Sequence, residues 1–96
     1  MGEKYGQLRL IGAHDGRHGA VKISQDVDLY TAILEPEDRI GYQISPERYA
    51  WVQVVRGIIS LNGEELREGA GLQLTASKSL EIQTQIGAEV LLFDLA

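Results

Sequence analysis

The sequence contains no cysteine, which excludes a disulfide framework, a thiol nucleophile and thiolate metal ligands. Prolines are few, only Pro36 and Pro46, and there is one tryptophan and one phenylalanine. No apolar run reaches the roughly 18 residues that a membrane-crossing helix needs. The N-terminus likewise lacks the apolar segment of a signal peptide. Positive charge is scarce too: nine Lys and Arg face fourteen Asp and Glu, for a net charge of −5. That balance speaks against nucleic-acid binding and against docking on an anionic membrane. These absences together give a cytoplasmic protein as the expectation.

What the chain does contain is β structure. Ninety-six residues, 44% of them apolar, suit one globular domain spanning 1–96. Eleven glycines punctuate short apolar and β-branched runs at Leu8 to Ile11, Val21 to Ile23, Val27 to Leu34, Tyr49 to Val55, Ile58 to Leu61, Leu72 to Leu74, Leu80 to Ile86 and Val90 to Leu95. Eight such runs predict an all-β sandwich or barrel. In Leu80-Glu81-Ile82-Gln83 the strict alternation points Leu80 and Ile82 at the core. Asn62-Gly63 predicts a two-residue hairpin turn, because both residues tolerate positive φ. Arg56-Gly57 is expected to make another turn, with Gly57 supplying the positive φ. The segment Glu64 to Glu68 has helical propensity but is too short to form a helix alone. Glu35 to Arg39 reads as a solvated turn.

Chemistry-bearing residues are sparse. His14 and His18 are the only histidines. Their spacing would place both on one face of a helix, but Gly12, Gly16 and Gly19 disfavour a helix there. A polar surface loop is the expectation, with His14 and His18 as weak candidates for a metal. Glu64, Glu65 and Glu68 form a charge cluster beside a turn; general acid–base work would need one of them buried, and solvation is expected instead. Arg48 and Arg56 flank the central strand; a ligand carboxylate is one partner they could take, and nearby surface acids, the commoner case, are the expectation. Gly69-Ala70-Gly71 lacks the lysine and following helix of a phosphate loop.

Several segments together carry a resemblance. Gly6 to Leu10, Asp15-Gly16, Tyr49 to Val54, Arg56-Gly57, Leu61-Asn62-Gly63, Leu66, Gly69 and Glu89 to Leu95 are similar to the C-terminal cupin half of pirin-like bicupins, the family that includes quercetin 2,3-dioxygenases. The likeness covers nearly the whole chain and implies a cupin-type β-barrel or jelly-roll sandwich. It also implies that metal and dioxygenase chemistry belong to a preceding N-terminal cupin, near whose end this chain would begin.

Position by position, the resemblance removes the metal ligands. The glutamate of the first cupin motif falls on Ala50, and its two histidines on Ile44 and Pro46, or on Gln43 and Ser45 one residue earlier. The second motif falls on Thr75, Ser77, Leu80 and Thr84. No histidine occurs after His18, so no shift of the alignment supplies one. Alanine and leucine have no electron pair to donate, so no cofactor is expected.

If the ligand positions face inward, Ala50, Val52 and Val54 line the barrel, and Tyr49, Trp51 and Val55 face out. Such an apolar outer stripe needs a cover. Two are open: the chain's own N-terminal strand, or a partner, either a second copy in a homodimer or an N-terminal cupin half. The resulting expectation is a non-catalytic, metal-free cupin with a structural or interaction role, or one that binds a small apolar ligand. The alternatives are a metal-dependent quercetinase-like dioxygenase and a regulatory pirin-like cofactor.

Overall fold

The structure, a computed structural model, describes residues 8–13, 16, 20–22, 26–75 and 79–95. Among these residues the secondary structure is nine strands without a helix: β1 (Arg9–Ala13), β2 (Val21–Lys22), β3 (Val27–Leu34), β4 (Arg39–Gln43), β5 (Tyr49–Leu61), β6 (Glu64–Arg67), β7 (Gly71–Thr75), β8 (Ser79–Gln83) and β9 (Ala88–Leu95). The strands follow the order β2-β1-β3-β9-β5-β8-β4, with β6 and β7 also pairing to β5. The result is a curled, almost wholly antiparallel sheet of cupin type; the short β1–β2 ladder is parallel.

Strand β5 organises the molecule. Tyr49 to Gly57 pair with β9, and Tyr49 to Gln53 pair with β7 on the other side. Ile58 to Leu61 pair with β6, and Ser60 and Leu61 with β8. The strand therefore leaves one layer and enters the other, and both layers share it.

The turn expected at Arg56-Gly57 does not form. The strand runs through it, and the register with β9 shifts between Val54 and Arg56, leaving Val55 as the extra residue of a bulge. A bulge bends and twists a strand without reversing it. The positive φ expected at Gly57 is present, at 87°. A Cβ at Gly57 would overlap the Gly87 carbonyl oxygen and lie 2.8 Å from Ala88 Cα. Glycine is thus required twice over, for its φ and for the close approach of β9.

At Asn62-Gly63 the hairpin turn is present, with φ of 50° and 89°. The Asn62 side chain ties this tip to β8: its Nδ2 donates to Ser79 O at 3.1 Å, and Glu81 N donates to its Oδ1 at 2.8 Å. Glu64 to Arg67 form β6 rather than helix, because the hairpin sets their register against Ile58 to Leu61. Strand β8 stops at Gln83, short of the Ile86 limit read from the sequence. Thr84 ends it: its Oγ1 donates to Ile58 O at 2.7 Å and accepts from Gly87 N at 3.0 Å, closing a local turn. Ile86 is left 64% exposed.

Between the layers lies one apolar cluster. Val52, Leu61, Val90 and Leu92 are fully buried, with Ala32, Leu34, Ile40, Ile44, Val54, Ile59, Leu80 and Ile82 around them. Burying such side chains is worth roughly 1.5–3 kcal/mol each against exposure, which is the main force holding the layers together.

Candidate functional site

The inner face changes character along its length. On β9 the inward residues are Val90, Leu92 and Asp94, all buried. Asp94 is the buried carboxylate among the described residues, 4% exposed. Its register partners are Ala50 on β5 and Asp28 on β3. The apolar core therefore gives way to a polar end beside Ala50.

Both carboxylate oxygens of Asp94 are engaged. Arg48, just before β5, donates from Nε to Oδ1 at 2.5 Å and from Nη2 to the Asp94 carbonyl at 2.9 Å. Its Nη1 reaches Asp26 Oδ1 at 3.1 Å. The Tyr42 hydroxyl on β4 donates to Asp94 Oδ2. Tyr30 on β3 packs edge-on against Tyr42, with ring centroids 5.5 Å apart. No buried side-chain nitrogen or oxygen among the described residues lacks a partner. A charge that is paired and fully hydrogen-bonded can be tolerated at this depth.

Burial is the main reason that the Tyr42 hydroxyl is held well above the usual phenol range, and hydrogen bonding to Asp94 and the nearness of Tyr30 add to it. Tyr42 thus remains a donor to Asp94 through ordinary pH. Its raised folded value gives the sign of the linkage. Its stabilising contribution is complete below the ordinary tyrosine value of about 10 and is lost as the pH rises above it. Alkaline titration of stability should show an extra fall beginning near pH 10, under about 1.4 kcal/mol per pH unit because the ring is only partly buried. Urea unfolding from pH 8 to 11 would check this, and Tyr42→Phe should remove that fall. The Arg48 guanidinium is held charged mainly by its bond to Asp94.

The described positions among those that the resemblance gives to metal ligands do not form a donor set. Ala50 is 0% exposed, Ile44 1% and Leu80 2%, all packed in the apolar cluster. Thr84 spends its hydroxyl on the turn after β8. Gln43, Ser45, Pro46 and Thr75 are exposed. Ser77, His14 and His18 lie outside the described residues. Among the described residues, no group of three or more His, Cys, Asp or Glu side chains could hold a metal ion. The described residues at these positions do not fit a barrel metal.

Ala50, Val52, Val54, Leu80 and Ile82 are all buried on the inner face. Tyr49 is 42% exposed and Val55 38%, while Trp51 is half-buried. Trp51 lies over Gly71 of β7, where a Cβ would come within 2.7 Å of the indole, and its Nε1 donates to Gln53 Oε1 at 3.1 Å. Val55 sits on the bulge, so the simple alternation that groups it with Tyr49 and Trp51 breaks there. The register extends the outer face sideways: Trp51 stands beside Phe93, and Phe93 beside Leu29. Leu91 and Leu95 flank Phe93 on the same side of β9 and are also half-buried.

Arg48 departs from expectation, since its main partner is a buried acid rather than a surface one. Arg56 pairs with Glu89 across the β5–β9 ladder. Glu64, Glu65 and Glu68 are exposed. Elsewhere, an open groove of about 900 Å³ lies on the outer side of β5, β6 and β8, with Ile58, Ser60, Glu65 and Gln83 among its lining residues. No helix of the described residues is long and apolar enough to cross a membrane.

An inner face shared by two layers through one bent strand defines a cupin-type β domain. Residues 10–95 match the family described as the quercetinase C-terminal cupin domain, and the chain belongs to that family. Quercetin 2,3-dioxygenase of Escherichia coli strain K12 is 36% identical over 87 residues, which is 91% of this chain and 38% of the relative. The crystal structure of YhhW from Escherichia coli superposes with a TM-score of 0.90 at 34% identity, over 95% of this chain and 39% of that one. A second structure of this bacterial pirin, in complex with nickel(II), gives 0.88. The chain thus spans well under half the length of these relatives.

Proposed function

We propose that this chain is a non-catalytic, metal-free cupin domain that serves as a scaffold and interaction surface. Ala50 carries the reading. The inner-face position that the resemblance assigns to a ligating glutamate holds a fully buried methyl group, and the one buried acid beside it is already paired with Arg48. In a longer quercetin 2,3-dioxygenase, such a domain would support a catalytic half rather than perform the oxidation. On composition alone, the reading keeps the domain in the cytoplasm.

The surface put forward for binding is the outer face bearing Tyr49 and Trp51, continued by Phe93 and Leu29, with Val55 exposed at the bulge on its border. Aromatic side chains are enriched at interfaces, and a second copy of the chain is the partner favoured for the isolated domain; an N-terminal cupin half would serve in a longer protein. The inner-face side chains of Ala50, Val52, Val54, Leu80 and Ile82 are buried against one another and their neighbours, which favours this surface over an apolar ligand held between the layers.

Two measurements test the reading. Metal analysis of the purified chain, together with a flavonol oxidation assay, should find neither stoichiometric metal nor turnover; either one overturns it. Light scattering at micromolar concentration should show a dimer that Trp51→Ala weakens, and a monomeric wild type would rule out the homodimer.

A further inference from the structure

The layer formed by β6, the end of β5, β8 and β4 carries a polar row on its outer side. Arg39 on β4 stands opposite Gln83 on β8, Gln83 opposite Ser60 on β5, and Ser60 opposite Glu65 on β6. Register partners share a face, so the four side chains point the same way. The alternate positions Ile40, Ile82, Leu61 and Leu66 are buried on the other face. Neighbouring strands lie about 4.8 Å apart, so a cation and an acid stand roughly 14 Å from each other at the two ends of the row. All four residues line the open groove of about 900 Å³. Glu37, Thr84 and Ile86 line it too, from two turns that are fastened together. Thr84 Oγ1 donates to Ile58 O at 2.7 Å, and Glu37 N donates to Thr84 O at 2.8 Å. Glu37 holds a φ of 73° there, a conformation uncommon outside glycine. Ile86 is 64% exposed, and Ile58 adds a second apolar side chain to the groove.

We propose that this groove binds a short peptide with free ends, about four residues long, laid across the strands with its carboxylate on Arg39 and its ammonium on Glu65. An extended chain advances about 3.3–3.6 Å per residue, so four residues match the separation of the two charges. Between the ends, Gln83 and Ser60 offer donors and acceptors to peptide groups. Ile58 and Ile86 offer apolar contact to a side chain. Both charges are within reach of a ligand, since the Arg39 and Glu65 side chains are 66% and 59% exposed. Their present contacts are surface pairs that water and salt weaken: Arg39 to Gln83 at 3.3 Å and to Glu81 at 3.9 Å, and Glu65 to Arg67 at 2.9 Å. The groove and the Trp51 face lie on different layers, so the peptide site stands or falls independently of that interaction surface.

The test is titration of the whole chain with the peptide Ala-Leu-Leu-Ala, followed through backbone amide chemical shifts. Shifts should cluster on Ser60, Glu65, Gln83 and Ile86 and saturate in the millimolar range. Acetylating the peptide's N-terminus, or amidating its C-terminus, should weaken binding about three- to tenfold. Arg39→Gln should weaken the free peptide by a similar factor and leave the amidated peptide no weaker than it is on the wild type. Glu65→Gln should behave in the same way toward the acetylated peptide. Glu37→Gln removes an acid from the Arg39 end and should tighten the free peptide. Absence of shifts in the groove, or an affinity unchanged by blocking either terminus, overturns the inference, and so does looser binding by Glu37→Gln. The blocked peptides decide the matter on the wild type alone if a variant does not fold.

Discussion

Gly57→Ala should be among the most damaging single substitutions in this chain, with a loss of roughly 4 kcal/mol or more and a fall in Tm of about 20 °C. Two costs add. An alanine at a φ of 87° pays about 1–2 kcal/mol for the left-handed conformation. Its methyl group must also displace backbone, since it would overlap the Gly87 carbonyl and press on Ala88. Backbone in a paired ladder cannot move aside as a flexible side chain can, so the β5–β9 pairing itself must open. Gly63→Ala supplies the control: its φ is 89°, but a Cβ there meets nothing within 4 Å. It should cost only about 1–2 kcal/mol. Denaturant unfolding of the two variants checks the difference, and equal losses would mean that the close approach at Gly57 carries no weight.

Ala50→Glu restores the residue of the metal-binding pattern and should destabilise by about 4–5 kcal/mol rather than create a metal site. Ala50 is 0% exposed and packed among Val52, Leu92 and their neighbours. The new carboxylate would lie in register with Asp94, whose partner Arg48 already serves both Asp94 and Asp26, so the added charge would have no cation of its own. Burying an uncompensated charge is costly, and the group would take up a proton instead. Circular dichroism melts with and without added Mn(II), Ni(II) or Zn(II) decide the matter. A variant with wild-type stability, or one restored to it by a metal, would show that the inner face can still accept a ligand set.

How far the sequence revealed the structure depended on how local each signal was. Val27 to Leu34 was legible to the residue, because a long apolar run between polar flanks marks a strand. The Asn62-Gly63 turn was legible because its chemistry lies in two adjacent residues. Strand β4 was not, since Arg39 to Gln43 offers only Ile40 and Tyr42 around a glycine and, among the described residues, pairs with β8 alone. The bend at Gly57 was half legible: the positive φ follows from glycine, but whether the chain reverses or continues depends on β9, about 30 residues away in sequence.

The polar end of the inner face was the least legible. Asp94 and Arg48 stand 46 positions apart and Asp94 and Tyr42 52; the register of β9 with β5 brings the first pair together, and the pairing of β4 with β8 places Tyr42. One hint was present: in Val90-Leu91-Leu92-Phe93-Asp94-Leu95 an acid occupies the same parity as Val90 and Leu92, which are buried. An acid on the inward parity calls for a cation, and Arg48 shares parity with Ala50. The wider outer face could also have been suspected. β9 is apolar on both parities, as expected of a strand with neither face given over to water.

The sharing of β5 by both layers has a consequence for how the domain opens. Neither layer is complete without that strand, and its bend is fixed from outside by β9. Partial unfolding that released one layer would strip the other of its central hydrogen-bonding partner, so the domain has no independent halves along this seam. Val27 pairs with Leu95 at the far end of the chain, so closing the last ladder requires ordering nearly everything between them. Pairing between strands so distant in sequence favours slow folding, because loop closure must be paid before the ladders form.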